Sequence, residues 1–293
     1  NDLNNNKLRD SEIDVKIEKL EKEIDQMEKV VFAKLKYSLE KVESIDIEPF
    51  YLMTGFDSKS SYTDYQFEKY NNEANLKQKE ILLKYGFKPT ENNEDRNNSI
   101  DPLSVSTDMT FSEQNIYFDA SSGLYRYTSD WLWREFSWDE LADINDLVGV
   151  GITKPGDYLI YSSFGKTWDN LGNETGYVDN SGNHTPSNSY ITKRFEDNNG
   201  VCFNVNDTPW VNGQVGITRY HTHKGRVTVY LKKLGSSSTK VIMSYNHNYK
   251  NYTFSAAAKI SNVGFTSLSG VLSVTYQTVN KEWQRSAGGK IIY

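Results

Sequence analysis

The chain has little of what usually staples or punctuates a protein of 293 residues: one cysteine, six prolines and no long apolar run. A single Cys202 excludes an intrachain disulfide. Secreted eukaryotic proteins of this size commonly carry several, so a cytosolic protein or an exported bacterial one is expected instead. No stretch approaches the roughly 18 consecutive apolar residues that a transmembrane helix needs. The P-loop, H-E-x-x-H, G-x-S-x-G and full dinucleotide signatures are all missing, Gly149 and Gly151 giving only an isolated G-x-G. No cofactor and no metal site is expected. Nucleic acid is not an expected partner, because no recognition-helix pattern accompanies the basic residues.

Carboxylates also run out along the chain. Residues 211–293 hold 11 Lys and Arg against one acid, Glu282, which leaves 22 basic and 38 acidic residues in 1–210. The net charge of −6 therefore conceals an acidic front near −16 and a basic tail near +10. Fields of opposite sign attract each other or something outside. Either the tail docks on the front of its own chain, or it faces an anionic cell-envelope polymer, a glycan or a membrane surface.

What the chain does have is Asn, Ser, Thr and aromatic residues, with 20 Tyr and 6 Trp in a sequence 37% hydrophobic. That supports a packed core and suits an exported protein from a bacterium of AT-rich genome. The first residue is Asn1 rather than Met, read as the mark of an N-terminus processed or trimmed.

Four segments are expected. Residues 1–50 read as a helical stalk or coiled coil. Polar residues 1–10 are expected to be disordered, and Ser11 to cap a helix reaching about Glu43. Its apolar positions Ile13, Ile17, Leu20, Ile24, Met27 and Val31 are spaced 4, 3, 4, 3, 4, a heptad seam continued less strictly through Leu35, Leu39 and Val42. Such a stripe needs a partner, through self-association into a homo-oligomer or by folding back on the chain. Residues 51–100 read as a helical and linker segment, with a helix over 72–85 stopped by Gly86 and a boundary in Thr90–Ser99. Residues 101–210 read as an acidic, aromatic-rich β region broken by Asx and Gly turns. One short helix is expected there, capped by Ser137 and Glu140, running through Leu141, Ile144 and Leu147 and closing near Gly149.

Residues 211–293 read as a basic antiparallel β module. Lys224-Gly225 between two alternating runs predicts a two-residue hairpin. That register places Arg219, His221, His223, Arg226, Thr228 and Tyr230 on a wet face, and Val227, Val229 and Leu231 on a buried one. A second hairpin is expected from Val241 to Ala258 around Asn248–Asn251, and a third alternating run at Leu272, Val274 and Tyr276. The fold class expected is α+β, mainly β: a long N-terminal helix followed by an antiparallel β-sandwich or open barrel.

The candidate binding residues are Trp131, Trp133, Arg219, His221, His223 and Arg226. Trp131 and Trp133 share a face of an extended strand, as sugar platforms and interfacial anchors do, against the default reading of such a cluster as core packing. His221 and His223 share a face as zinc ligands would, but Arg226 opposite them disfavours a cation and suits an anion better; plain surface is the reading that competes with both. Cys202 reads as structural, lacking a positioned base. Asp130, Glu135, Asp139, Glu140 and Asp143 contain no pair that sequence can place as a glycosidase pair.

Taken together these features predict a secreted or surface-displayed, non-enzymatic bacterial protein that binds an anionic or glycan surface. The alternative is a β-pore-forming protein, because no acid lies between Leu234 and Asn280 and Ser/Thr alternate there with apolar residues as in membrane-barrel strands. A wall- or glycan-directed hydrolase is third.

Overall fold

The computed structural model describes residues 10–43, 45–55, 58–90, 109–133, 145–197, 200–206, 209–212, 217–249, 281–286 and 290–292. Helix α1 is Ser11–Glu43, the extent its spacing predicts. Asp10 caps it rather than Ser11, its Oδ1 accepting the Glu12 amide at 2.9 Å. Ile13, Ile17, Leu20, Ile24, Val31, Leu35, Leu39 and Val42 are all buried, which stabilises the fold by about 1.5–3 kcal/mol for each large side chain. They lie against the chain's own sheet and a second long helix. The helix is thus no projecting stalk, and its seam is filled without a second copy.

Helix α2 (Ile47–Thr54) is a short step held by Phe50, whose ring meets Tyr62 edge-on at 5.5 Å. It ends at Gly55 with φ 74°, a backbone state that favours glycine. Helix α3 spans Lys59–Lys84, beginning 13 residues before the expected start at Asn72. Its buried stripe is Thr63, Gln66, Phe67, Asn71, Ala74, Gln78 and Leu82. The spacing is helical but the residues are largely polar, so a search for apolar period passes over the first half.

Among the described residues fifteen strands follow: β1 (Phe87–Pro89), β2 (Met109–Asp119), β3 (Leu124–Trp133), β4 (Asp146–Ile152), β5 (Tyr158–Trp168), β6 (Glu174–Val178), β7 (His184–Thr185), β8 (Ile191–Asp197), β9 (Gly200–Val205), β10 (Pro209–Asn212), β11 (Ile217–Tyr220), β12 (Lys224–Lys233), β13 (Thr239–Tyr249), β14 (Lys281–Ser286) and β15 (Lys290–Ile292). All pairings are antiparallel. One sheet has the order β1-β2-β3-β12-β5-β6-β7 and a second β14-β13-β4-β9-β8 with β15 beside β13, while β10 and β11 form a separate ribbon. The two large sheets face each other across Tyr127, Trp131, Val227, Val229 and Leu231 on one side and Val148, Val150, Phe203, Val241 and Met243 on the other. Helices α1 and α3 cover the outer face of the seven-stranded sheet. The protein is therefore α+β and mainly β, in three layers, and neither sheet closes into a barrel among the described residues.

Several expectations are corrected. Lys224-Gly225 is no hairpin turn: it opens β12, which lies between β3 and β5 in the centre of the sheet. Gly225 is there because the Trp131 indole lies across its backbone, where an added Cβ would come within 1.8 Å of the ring. Four residues of the face expected to be wet are buried: His223 under Phe67, and Arg226, Thr228 and Tyr230 beneath α1. Residues 101–210 and 211–293 are not separate modules, because β12 and β13 each pair with strands from the earlier segment. The expected helix ending near Gly149 gives way at Asp146 to β4, whose Val148, Val150 and Ile152 face the core with period two. Its earlier part at 137–144 lies outside the described residues, as do 1–9, the boundary at 91–99, the return leg of the second hairpin and the run at 272–276.

Candidate functional site

The two tryptophans do share a face, and that face is the core. Trp131 and Trp133 are 0% and 1% exposed, with their rings 5.5 and 5.8 Å from that of Tyr245. They form no platform open to a sugar. His223 is also buried, its ring edge-on to Phe67 at 4.6 Å; burial, with Lys224 adjoining, pushes its pKa down to about 3. His221 is half-buried and stacked on Tyr190 at 4.4 Å. Arg219 stands on β11 opposite Trp210. The six residues do not converge on one surface.

Arg226 belongs to a buried ionic layer between α1 and the sheet. Its Nε and Nη2 donate to the two carboxylate oxygens of Asp130 at 2.7 and 2.8 Å, and its Nη1 donates to Glu28. Lys224 donates to Asn71 and lies 3.0 Å from Asp130. Lys166 reaches Asp25, Glu28 and Glu174 at 2.5, 3.1 and 3.0 Å. Arg126 donates to Glu21 at 3.0 Å, and Glu21 also accepts from the Tyr230 hydroxyl. Burial alone would raise the Asp130 carboxyl; the charges of Arg226 and Lys224 outweigh it and hold the group well below the usual carboxylate range. Glu28 is lowered in the same way by Arg226 and Lys166. Four cations and five acids thus meet between α1 and the sheet, Asp130 and Glu28 among them away from bulk water, and the paired geometry keeps these two charged. A cleft of about 600 Å³ opens beside this layer, bordered by Glu18, Glu21, Asp25, Lys166 and Glu174. Among the described residues no group of three or more His, Cys, Asp or Glu could hold a metal ion.

A second polar knot sits inside the sandwich where β3 and β13 end. The Asp146 carboxylate accepts from Tyr245 OH at 2.5 Å and lies 2.9 Å from His247 Nδ1. All three are fully buried, and Trp133 covers His247 at 5.2 Å. An acid, an imidazole and a phenol in line resemble catalytic parts, but no substrate reaches a sealed group. What the knot does is rivet β4 to β13. Two residues beyond His247, β13 reaches Tyr249, whose partner across the ladder is Lys281. Asp146, Glu28 and His247 carry these arrangements without having stood out in the sequence, since their partners are 101 and 198 residues away.

Cys202 is buried, its thiol pushed up to about 12 by desolvation. A thiol so protonated is no nucleophile at neutral pH. Of the acids weighed as a hydrolytic pair, Asp130 is committed to Arg226 and Lys224, and the other four lie outside the described residues. No described helix is long and apolar enough to cross a membrane.

No family model matches the chain, and no curated protein does. Among solved structures it is similar to the T6 backbone pilin of serotype M6 Streptococcus pyogenes, at 7% identity and a TM-score of 0.33 over 61% of this chain and 35% of the pilin. It is similar to a chain described as a pore forming protein, at 7% identity and 0.28 over 61% and 89%, and to Clostridium perfringens delta-toxin, at 8% and 0.29 over 63% and 92%. The chain spans only about a third of the pilin's length. Likeness at these scores carries no argument about function, which must come from the residues.

Proposed function

We propose that this is an exported, non-enzymatic bacterial protein that acts on lipid bilayers, delivering residues 250–280 as a membrane-spanning β-hairpin. The observation that carries the reading is the register Tyr249↔Lys281. It means that the two residues flanking a segment of 31, Tyr249 and Lys281, are already neighbours in an antiparallel pair. The segment's sequence is that of two amphipathic strands: Tyr252, Phe254, Ala256, Ala258 and Ile260 alternate with Thr253, Ser255, Ala257, Lys259 and Ser261, polar but for Ala257, and Leu272, Val274 and Tyr276 with Ser273, Thr275 and Gln277. Each leg is long enough for the roughly 9 to 11 residues of a bilayer-spanning strand. No acidic residue occurs in either.

One hairpin has open edges, which hydrocarbon does not tolerate, so several copies would have to contribute hairpins to a closed barrel. The surface-binding reading through residues 219–226 loses ground, because Lys224 and Arg226 are spent on Asp130 and Glu28. Dye release from liposomes tests the proposal. Val274→Lys places a charge on the apolar set, at about 2–4 kcal/mol per copy near the midplane, and should abolish release. Thr275→Lys on the polar set should leave it largely intact. Inert vesicles with the unaltered chain, or equal loss in both variants, would reject the reading.

A further inference from the structure

Helix α2 is built the wrong way round for a helix on a water-soluble surface. At 100° per residue, Phe50 and Thr54 share its inward side, where Phe50 is buried at 1% exposure. The three residues between them sweep the outward arc, where polar side chains would cost nothing. They are instead Tyr51, Leu52 and Met53, exposed at 51%, 79% and 68%. Tyr37 of α1, 61% exposed with the Lys41 ammonium 4.3 Å from its ring centroid, continues the patch. A groove of about 760 Å³ runs between it and Met53. Contiguous exposed apolar surface of this kind marks a docking site.

Its place in the fold says what docks. Helix α1 runs alongside β3: Lys16 holds Asp119 just before β3 begins, Glu28 and Asp130 share Arg226 midway, and Leu35 and Leu39 pack near Leu132 and Trp168. Helix α2 therefore lies beyond the Trp133 end. In the facing sheet β13 runs the same way, from Thr239 beside Ile292, whose carbonyl accepts from Tyr158, to His247 under Trp133. Tyr249 and Lys281, where the chain departs and returns, are at that same end.

We infer that the Tyr51-Leu52-Met53 tip, with Tyr37, is the bilayer-docking surface, seated at the boundary between headgroups and acyl chains. This rests on the proposed membrane activity. Leu and Met enter the acyl edge while the tyrosine rings sit at headgroup level with their hydroxyls wet. The tip would hold the molecule with the departure point of residues 250–280 facing the lipid.

The full chain and its Leu52→Asp, Met53→Asp double variant are sedimented with phosphatidylcholine vesicles. Vesicle partitioning should fall about tenfold or more in the variant. Met53→Cys labelled with an environment-sensitive dye, selectively because Cys202 is buried, should brighten when vesicles are added. Wild-type binding by the double variant, no change at position 53, or no vesicle binding by the unaltered chain would overturn the inference. Tethering separates it from the pore reading. A double variant held by a terminal His tag on nickel-chelating lipid should release dye at the wild-type rate. If the tethered variant stays inert while the unaltered chain releases dye, the tip belongs to insertion rather than docking and the inference fails. An unaltered chain that binds through the tip but releases nothing would sink the pore reading and leave docking standing.

Discussion

His223 offers the sharpest quantitative test of the packing between α3 and the sheet. It is buried under Phe67, its carbonyl accepts the Trp133 amide at 2.9 Å, and its pKa is pushed down from 6.5 to about 3 by burial and the adjoining Lys224. A depressed histidine binds a proton in the unfolded chain but not in the folded one throughout that interval. Stability from this residue is thus complete above 6.5 and is lost as the pH falls. At about pH 5 the unfolded histidine is almost fully protonated and the folded one still neutral, so the loss from neutral pH is about 2 kcal/mol by linkage. The perturbation is His223→Leu, which removes the proton-binding group and keeps an apolar body against Phe67. Urea unfolding of both proteins at about pH 7.5 and about pH 5 gives the stability change of each. Carboxylates and the other three histidines contribute to both and cancel in the difference. The unaltered chain should lose about 2 kcal/mol more than the variant. Equal losses would mean that the imidazole takes up its proton in the folded state, and the sealed contact argued for it would be wrong.

The buried layer, the Gly225 contact and Cys202 each give a further outcome. Arg226→Met leaves Glu28 and Asp130 buried without their shared guanidinium and should destabilise the fold by about 3–5 kcal/mol in urea titration; a loss under about 1 kcal/mol would mean that the layer is wet. Gly225→Ala drives a Cβ into the Trp131 indole and should cost at least the roughly 1–3 kcal/mol of overpacking, with changed near-ultraviolet circular dichroism; an unaltered melting temperature would contradict the contact. Cys202, with its thiol raised to about 12, should resist iodoacetamide at mildly alkaline pH and react only on unfolding, so rapid labelling of the native chain would refute its burial.

The parts of this fold that can be read from sequence are those governed by local period. The seam of α1 is legible because nine apolar residues recur at helical spacing, and the alternation of Val227, Val229 and Leu231 is legible because a strand sorts its faces every second residue. The first half of α3 is not, because Thr63, Gln66 and Asn71 occupy its buried stripe. Gly225 reads as a turn until the Trp131 ring is placed across it, since a glycine that makes room and a glycine that bends look the same in one dimension. The shared face of Trp131 and Trp133 is correctly read, yet whether that face meets solvent depends on Tyr245, more than 100 residues on. The site fares worse than the fold for the same reason: Arg226 and Glu28 are 198 residues apart.

The segregation of charge along the chain therefore has two physical origins. At the head of the tail, Lys224 and Arg226 answer acids of the front inside the molecule. Buried pairs of this kind add little net stability over an apolar layer of the same shape, but they penalise every sliding of α1 along the sheet, because a shift of one turn would leave Glu28 and Glu21 unpaired. They fix the direction in which α1 runs, and so put α2 at the end of the sandwich where Tyr249 and Lys281 stand. On the proposed reading the missing acids of residues 250–280 answer to a different demand. A carboxylate there would gain nothing from the front of the chain and, on the proposed reading, would have to cross hydrocarbon. One compositional trait thus orients the body in its first part and, if the proposed membrane role holds, suits the second part to lipid.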